Sequence, residues 1–287
     1  ELAHDTPPDA RAELNPVMVR LLADSQPLVR SAGLALAALL LDPAEAQELF
    51  ARYLSDAAPR VRAEAAGRLA DLARADARPA LAGALEDAHP GVRFEAARGM
   101  AALKHTAGFD ILVAALDDAE LRFRALAALA ELEDARAIPH IKSVFRRWLL
   151  PHFERTQAAG ALARLGDPDG VKHLLTRAAK KWAEDRPMAL ELLGEVKAPA
   201  ALGTLTAILA DAADLCRGAA ARGLGRLASR EALAALHAAL DRADDDLKVD
   251  IAEGLLLTGV PDARQLAASI QVRSSEARTE LDAILTG

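Results

Sequence analysis

Apolar and polar positions follow one phrase that recurs along the whole chain. It reads VRSAGLALAALL from Val29, VRAEAAGRLADL from Val61, VRFEAARGMAAL from Val92 and LRFRALAALAEL from Leu121, with weaker copies from Glu154, Asp185, Cys216, Leu247 and Ala277. Its basic residue stands at Arg30, Arg62, Arg93, Arg122, Arg155, Arg186, Arg217, Lys248 and Arg278, at intervals of 29 to 33 residues. Counted from it, apolar side chains recur at the third, seventh and tenth positions, as in Ala65, Leu69 and Leu72. That spacing marks one face of an α-helix. A second apolar stretch precedes each phrase, for example 44–55, 77–85, 138–148 and 200–210, and predicts another helix. Between the two lie short links such as Asp24-Ser25-Gln26-Pro27, Asp56-Ala57-Ala58-Pro59 and Asp87-Ala88-His89-Pro90. Each places proline where the next helix begins and its missing N–H costs nothing.

A hairpin of about 31 residues cannot bury its apolar stripe alone, so neighbouring hairpins must stack over a shared core. The expected fold is an all-α solenoid of about nine hairpins, forming one domain over residues 1–287. The nine phrases resemble HEAT repeats, of the short type often called phycobilisome-lyase-like, from about Glu13 to Thr286. The resemblance implies a right-handed superhelix with an aspartate six residues before the basic residue, the two forming a hydrogen-bonded ladder along the stack. Asp24/Arg30, Asp56/Arg62, Asp87/Arg93 and Asp211/Arg217 match that offset, and Asp117/Arg122 and Asp241/Lys248 miss it by one. These arginines are therefore expected to be structural rather than an anion-binding strip, with Asp87 depending on Arg93. Repeats of this kind serve many functions, so the resemblance speaks for the fold and not for a ligand.

Composition narrows the picture. Hydrophobic residues make up 52% of the chain and aromatics 3%, an alanine- and leucine-rich balance that excludes a β-sandwich or barrel. One cysteine in 287 residues excludes a disulfide framework or cysteine-rich zinc module and suits a reducing, cytoplasmic setting. The net charge of -7 opposes general attraction to nucleic acid or anionic membrane, so any such contact needs a local patch. The longest strongly apolar stretch, 32–41, is too short to span a bilayer. The chain begins at Glu1 rather than Met, which suggests a processed form or a segment of something longer.

Two repeats break the rule. At the ladder position stand Leu149 and Lys180, without the acid. Beside them the chain reads Arg146-Arg147-Trp148 and Lys180-Lys181-Trp182, expected near the ends of first helices and holding both tryptophans of the protein. Residues 138–200 carry 11 basic and 7 acidic side chains within an otherwise acidic chain. A cationic and aromatic surface of this kind suits an acidic or phosphorylated segment of another protein. The alternative is packing: basic residues favour helix C-termini, and Trp148 with Phe153 would fill volume around Pro151.

Candidate chemistry is sparse. No two of the seven histidines have the spacing of a metal pair on one helix, although His140, His152 and His173 could meet across the repeats anchored at Arg155 and Arg186. Cys216 replaces a valine of the early repeats and reads as a buried hydrophobe. Glycines within second helices, such as Gly99 and Gly223, read as sites of close helix packing. No catalytic, cofactor-binding or metal-binding residue is assigned. The sequence thus predicts a non-enzymatic scaffold that receives a partner protein in one or both of two places. One is a concave face of second helices, where Arg68, Arg98, Met188, Glu191 and Arg222 project, and the other is the basic-aromatic edge of Arg146, Arg147, Trp148, Lys180, Lys181 and Trp182. Two alternatives remain. One is nucleic-acid binding of the kind seen in helical-repeat DNA glycosylases, for which Trp148, Trp182, Asp185 and Arg186 are the nearest material. The other is bilin lyase chemistry, suggested by repeat type alone.

Overall fold

A computed structural model describes residues 8–286; Glu1, His4 and Gly287 lie outside the described residues. The described residues form 18 α-helices and no strand. They alternate as first and second helices of nine consecutive pairs. The pairs are α1 (Pro8–Leu22) and α2 (Pro27–Leu40), α3 (Pro43–Tyr53) and α4 (Pro59–Leu72), α5 (Arg78–Ala84) and α6 (Pro90–Ala102), and α7 (Phe109–Ala115) and α8 (Arg122–Leu132). There follow α9 (Ala137–Phe145) and α10 (His152–Arg164), α11 (Pro168–Ala178) and α12 (Arg186–Glu195), and α13 (Leu202–Ala210) and α14 (Arg217–Leu227). The last are α15 (Arg230–Ala239) and α16 (Asp245–Leu257), then α17 (Pro261–Ala268) and α18 (Ser275–Thr286). Proline opens α2, α3, α4, α6, α11 and α17, as the links predict.

Contacts divide the chain into two compact units, Glu1–His140 and Ile141–Gly287. In the N-terminal unit α2, α4, α6 and α8 pack side by side. Their inward faces bury Leu34, Leu69, Met100 and Leu129 completely or nearly so, against Phe50, Leu81 and Leu112 from first helices. In the C-terminal unit α10, α12, α14, α16 and α18 pack in series over a core containing Leu174, Leu190, Leu193, Leu224, Ile251 and Leu255. The second helices approach one another closely here. A β-carbon on Gly194 would lie 2.1 Å from the Gly223 carbonyl oxygen, and one on Gly225 would lie 2.0 Å from that of Gly254. Glycine in a helix costs about 1 kcal/mol relative to alanine, and backbone contact of this kind admits no other residue.

The ladder is present, with its pairs running between repeats. Arg30 donates from Nε and Nη2 to the Asp56 carboxylate, both at 2.8 Å, and from Nη1 to the carbonyls of Asp24 and Ser25. Arg62 does the same with Asp87, at 2.7 and 2.9 Å, and with the carbonyls of Asp56 and Ala57. Each arginine therefore joins its own turn to the acid of the next. The expected dependence of Asp87 on Arg93 is incorrect, because Arg93 reaches only the Asp87 and Ala88 carbonyls. The physical reason is the turn itself: Asp24, Asp56 and Asp87 accept the N–H two residues ahead, and Asp56 and Asp87, so held, face the preceding arginine.

The pair Asp211/Arg217 does not form either. Asp211 accepts from the Ala213 N–H and faces Lys181 at 3.6 Å, while Arg217 donates to the Leu209 carbonyl. In the C-terminal unit the acid comes later in the turn. Asp214 receives both Nη atoms of Arg186 at 2.7 and 2.8 Å. Asp185 receives Arg177 Nε at 2.9 Å and the Thr156 hydroxyl at 2.5 Å. The acid missing at Lys180 thus returns five positions later as Asp185, which takes its guanidinium from Arg177 of its own repeat rather than from Arg155. All five of these side chains are buried.

Hydrogen bonds from Arg186 hold the Asp214 carboxyl below the ordinary carboxylate range against its burial. At Asp185 burial acts upward, but Arg177 and Thr156 outweigh it and the pKa is also lowered. A folded-state pKa below the unfolded value of about 3.9 contributes stability that is complete above that value and lost as pH falls through the folded pKa. Urea midpoints should therefore hold between pH 7 and 5 and drop below pH 4, and Asp214→Asn should flatten the drop. Arg186→Ala strands a buried carboxylate and should cost about 3–5 kcal/mol. Arg93→Ala removes only bonds to carbonyls and should cost less in the same urea titration.

Candidate protein-binding surfaces

The charged residues expected to greet a partner on the second helices are largely paired among themselves. On α6, Arg98 donates to Asp71 at 2.9 Å, Glu95 at 3.0 Å and the Gly67 carbonyl at 2.9 Å. Arg124 reaches Glu95 at 2.7 Å, and Arg68 pairs with Glu64 at 2.8 Å. These groups line a cleft of about 380 Å³. In the C-terminal unit Arg222 on α14 ties Glu191 on α12 to Asp250 and Glu253 on α16. Burial pushes the Asp250 carboxyl upward against the pull of Arg222. Met188 is half-buried. A partner on this face would have to displace carboxylates already in place: Arg98, Glu191 and Arg222 serve cohesion between neighbouring helices first, and Arg68 is paired within its own helix.

The edge of the C-terminal unit is different. Both basic-aromatic triplets stand in the turns beyond α9 and α11, past the last helical residues Phe145 and Ala178. Trp148 is 88% exposed, Leu149 81%, Trp182 83% and, in the next turn along, Leu215 89%. The packing alternative fails: beneath the first of these turns, space is filled by buried Leu150 and by Arg155, which donates to the carbonyls of Phe145 and Arg147. Arg146 and Lys180 form no ion pair among the described residues, and Lys181 has only its long contact with Asp211. His152, Arg177, Lys180, Lys181, Trp182 and Glu184 surround an open cleft of about 470 Å³, in which Arg177 is already committed to Asp185.

Leu215 was missed by sequence reasoning. Its signal is a large apolar residue in a third consecutive turn, where the corresponding N-terminal turns hold Ser25, Ala57, Ala88 and Ala119. The exposed large apolar residues of the N-terminal unit, Val19, Leu28, Leu39 and Phe123, lie within helices instead.

Other candidates resolve into structure. His140 packs edge-on to Phe109 at 6.2 Å and His173 to Phe145 at 5.1 Å, with burial and then Arg177 lowering the His173 pKa. No group of three or more His, Cys, Asp or Glu that could hold a metal occurs among the described residues. Cys216 is half-buried against the C-terminal core. Asp185 and Arg186, invoked for nucleic-acid binding, are buried in ladder bonds and unavailable at a surface. No described helix is long and apolar enough to cross a membrane.

Serial helix pairs, joined through arginine and aspartate at their turns, define a helical-repeat protein. Residues 46–130 and 84–149 match the model of HEAT repeats, and residues 217–242 match that of the PBS lyase HEAT-like repeat, so the chain carries HEAT repeats over those segments. No curated protein sequence matches it. Among solved structures it is similar to the complex of CpcE and CpcF of phycocyanin lyase from Nostoc, with 22% identity and a TM-score of 0.56 over 82% of this chain and 95% of that one. Human deoxyhypusine hydroxylase matches at 23% identity and a TM-score of 0.37, over 87% of this chain and 96% of that one. An engineered protein matches at 20% and 0.41, over 99% and 92% respectively.

With both indoles in solvent, the native protein should show the red-shifted emission of exposed tryptophan. The charge reversals Arg146→Glu and Lys180→Glu should each change stability by no more than about 0.5 kcal/mol, as for other surface substitutions. A larger displacement of the urea midpoint would show that these side chains support the fold.

Proposed function

We propose that this protein is a binding scaffold that holds a partner protein on the edge formed by turns 146–151, 179–185 and 211–216. The observation that carries the reading is the row of four large apolar side chains, Trp148, Leu149, Trp182 and Leu215, each more than four-fifths exposed, on the same edge as Arg146 and Lys180, which form no ion pair among the described residues. Large apolar groups gathered at a surface gain free energy when a partner removes them from water. Tryptophan with basic neighbours is also the composition of interface hot spots. The similarity to CpcE and CpcF, which form a complex with each other, supports a protein as the occupant. The paired charges of the second helices favour the edge over the helix face.

Cross-linking in a lysate of the native cell, followed by mass spectrometry, tests this reading. Proteins captured by the native chain should be lost from the triple variant Trp148→Ala, Trp182→Ala, Leu215→Ala, whose thermal midpoint should be unchanged. If the triple variant captures the same set, the edge is not the docking surface and the face of Arg68, Arg98, Glu191 and Arg222 replaces it.

A further inference from the structure

Resting on that reading, we propose that the docked segment is extended and acidic, with a carboxylate side chain over the middle turn and apolar side chains three residues to either side. The three turns belong to consecutive helix pairs, α9/α10, α11/α12 and α13/α14. Packed helices lie about 8–10 Å apart, and an extended chain of the polyproline II kind advances about 3.1 Å per residue with three residues per turn, so a segment passes from one turn to the next in about three residues and side chains three apart face the same side. The outer turns present apolar tips, Trp148 with Leu149 and Leu215. The middle turn presents Lys180 and Lys181 beside the open cleft, with Trp182 as its apolar wall.

Charge selects the central group. Lys180 has no ion pair among the described residues, and the 3.6 Å contact of Lys181 with Asp211 is between half-exposed groups, so both ammonium groups can take a carboxylate. A phosphate would call for a guanidinium fork. The cleft's one guanidinium, Arg177, is held by Asp185, and Glu184 on the rim opposes a dianion. A continuous anionic surface such as a bilayer would meet Glu184 and Asp211 on the same edge, whereas a single segment can set one carboxylate over the lysines.

The test uses the full chain and end-blocked nine-residue peptides with leucine at the second and eighth positions, glutamate at the fifth, and glycine and serine elsewhere. Trp148 and Trp182 are the only tryptophans, so emission reports binding at this edge alone. The expected result is a saturable blue shift, weakened at high salt and at least about tenfold weaker for the peptide with lysine at the fifth position, since like charges repel across an interface. The double variant Lys180→Glu, Lys181→Glu should reverse the preference between these two peptides. Equal binding of the glutamate and lysine peptides, or none, overturns the proposal, as does equal binding when the leucines move to the fourth and sixth positions. Tighter binding of a phosphoserine peptide overturns the carboxylate assignment. A blue shift with phosphatidylserine vesicles and not with the peptides identifies a lipid occupant and overturns the proposal as well. Failure of the peptides while the triple variant still loses its captured partner rejects the acidic segment alone; capture unchanged in the triple variant rejects the scaffold reading itself.

Discussion

A hairpin of about 31 residues has two helices and one apolar face, and nothing within it can cover that face. Each repeat of this chain therefore depends on burial against its neighbours, and the rest of the structure is arranged around that constraint. Second helices pack in series within each compact unit, with alanine, leucine and glycine at the contacts because small residues let the axes approach. Where Gly194 meets Gly223 and Gly225 meets Gly254, backbone lies against backbone. That contact forgoes side-chain area and gains proximity along the whole helix.

Burial alone leaves the polar groups of the turns unsatisfied, and the ladder answers this. One arginine binds the carbonyls of its own turn and the carboxylate of the next, so a single side chain satisfies three acceptors across two repeats. The N-terminal unit runs this arrangement at the half-buried rim. The C-terminal unit draws it inward, with Asp185 and Asp214 buried beneath their turns. The ladder's acids have moved deeper, and the tips of the same turns carry tryptophan and leucine.

This division of labour bears on function. The helix face has spent its charges on joining neighbours: Arg98 and Arg222 each bind several acceptors from adjacent helices. The turns of the C-terminal unit are satisfied from below by Arg155, Arg177 and Arg186, which leaves their outer side chains without a structural duty. A surface held rigid by buried ion pairs, yet carrying exposed indoles, an uncommitted Lys180 and a Lys181 held only by its long contact with Asp211, is suited to receive a segment at little cost to its own contacts.

The period, the alternation of first and second helices, the proline starts and the buried face were all determined by the sequence, because helical periodicity encodes which side of each helix faces its neighbour. Ala65, Leu69, Ala125 and Leu129 are buried where the spacing placed them. Tertiary structure alone decided which carboxylate each arginine takes. A fixed offset finds Asp87 beside Arg93 in the chain, but the bond is made by Arg62 from the preceding repeat, and a rule of six residues passes over Asp185 and Asp214 altogether. The same holds for the tryptophans. Composition marked residues 138–200 as unusual, but whether an indole in a turn fills a gap or stands in solvent depends on what lies beneath it. At Trp148, Leu150 and Arg155 already occupy that space, and the ring is left outside.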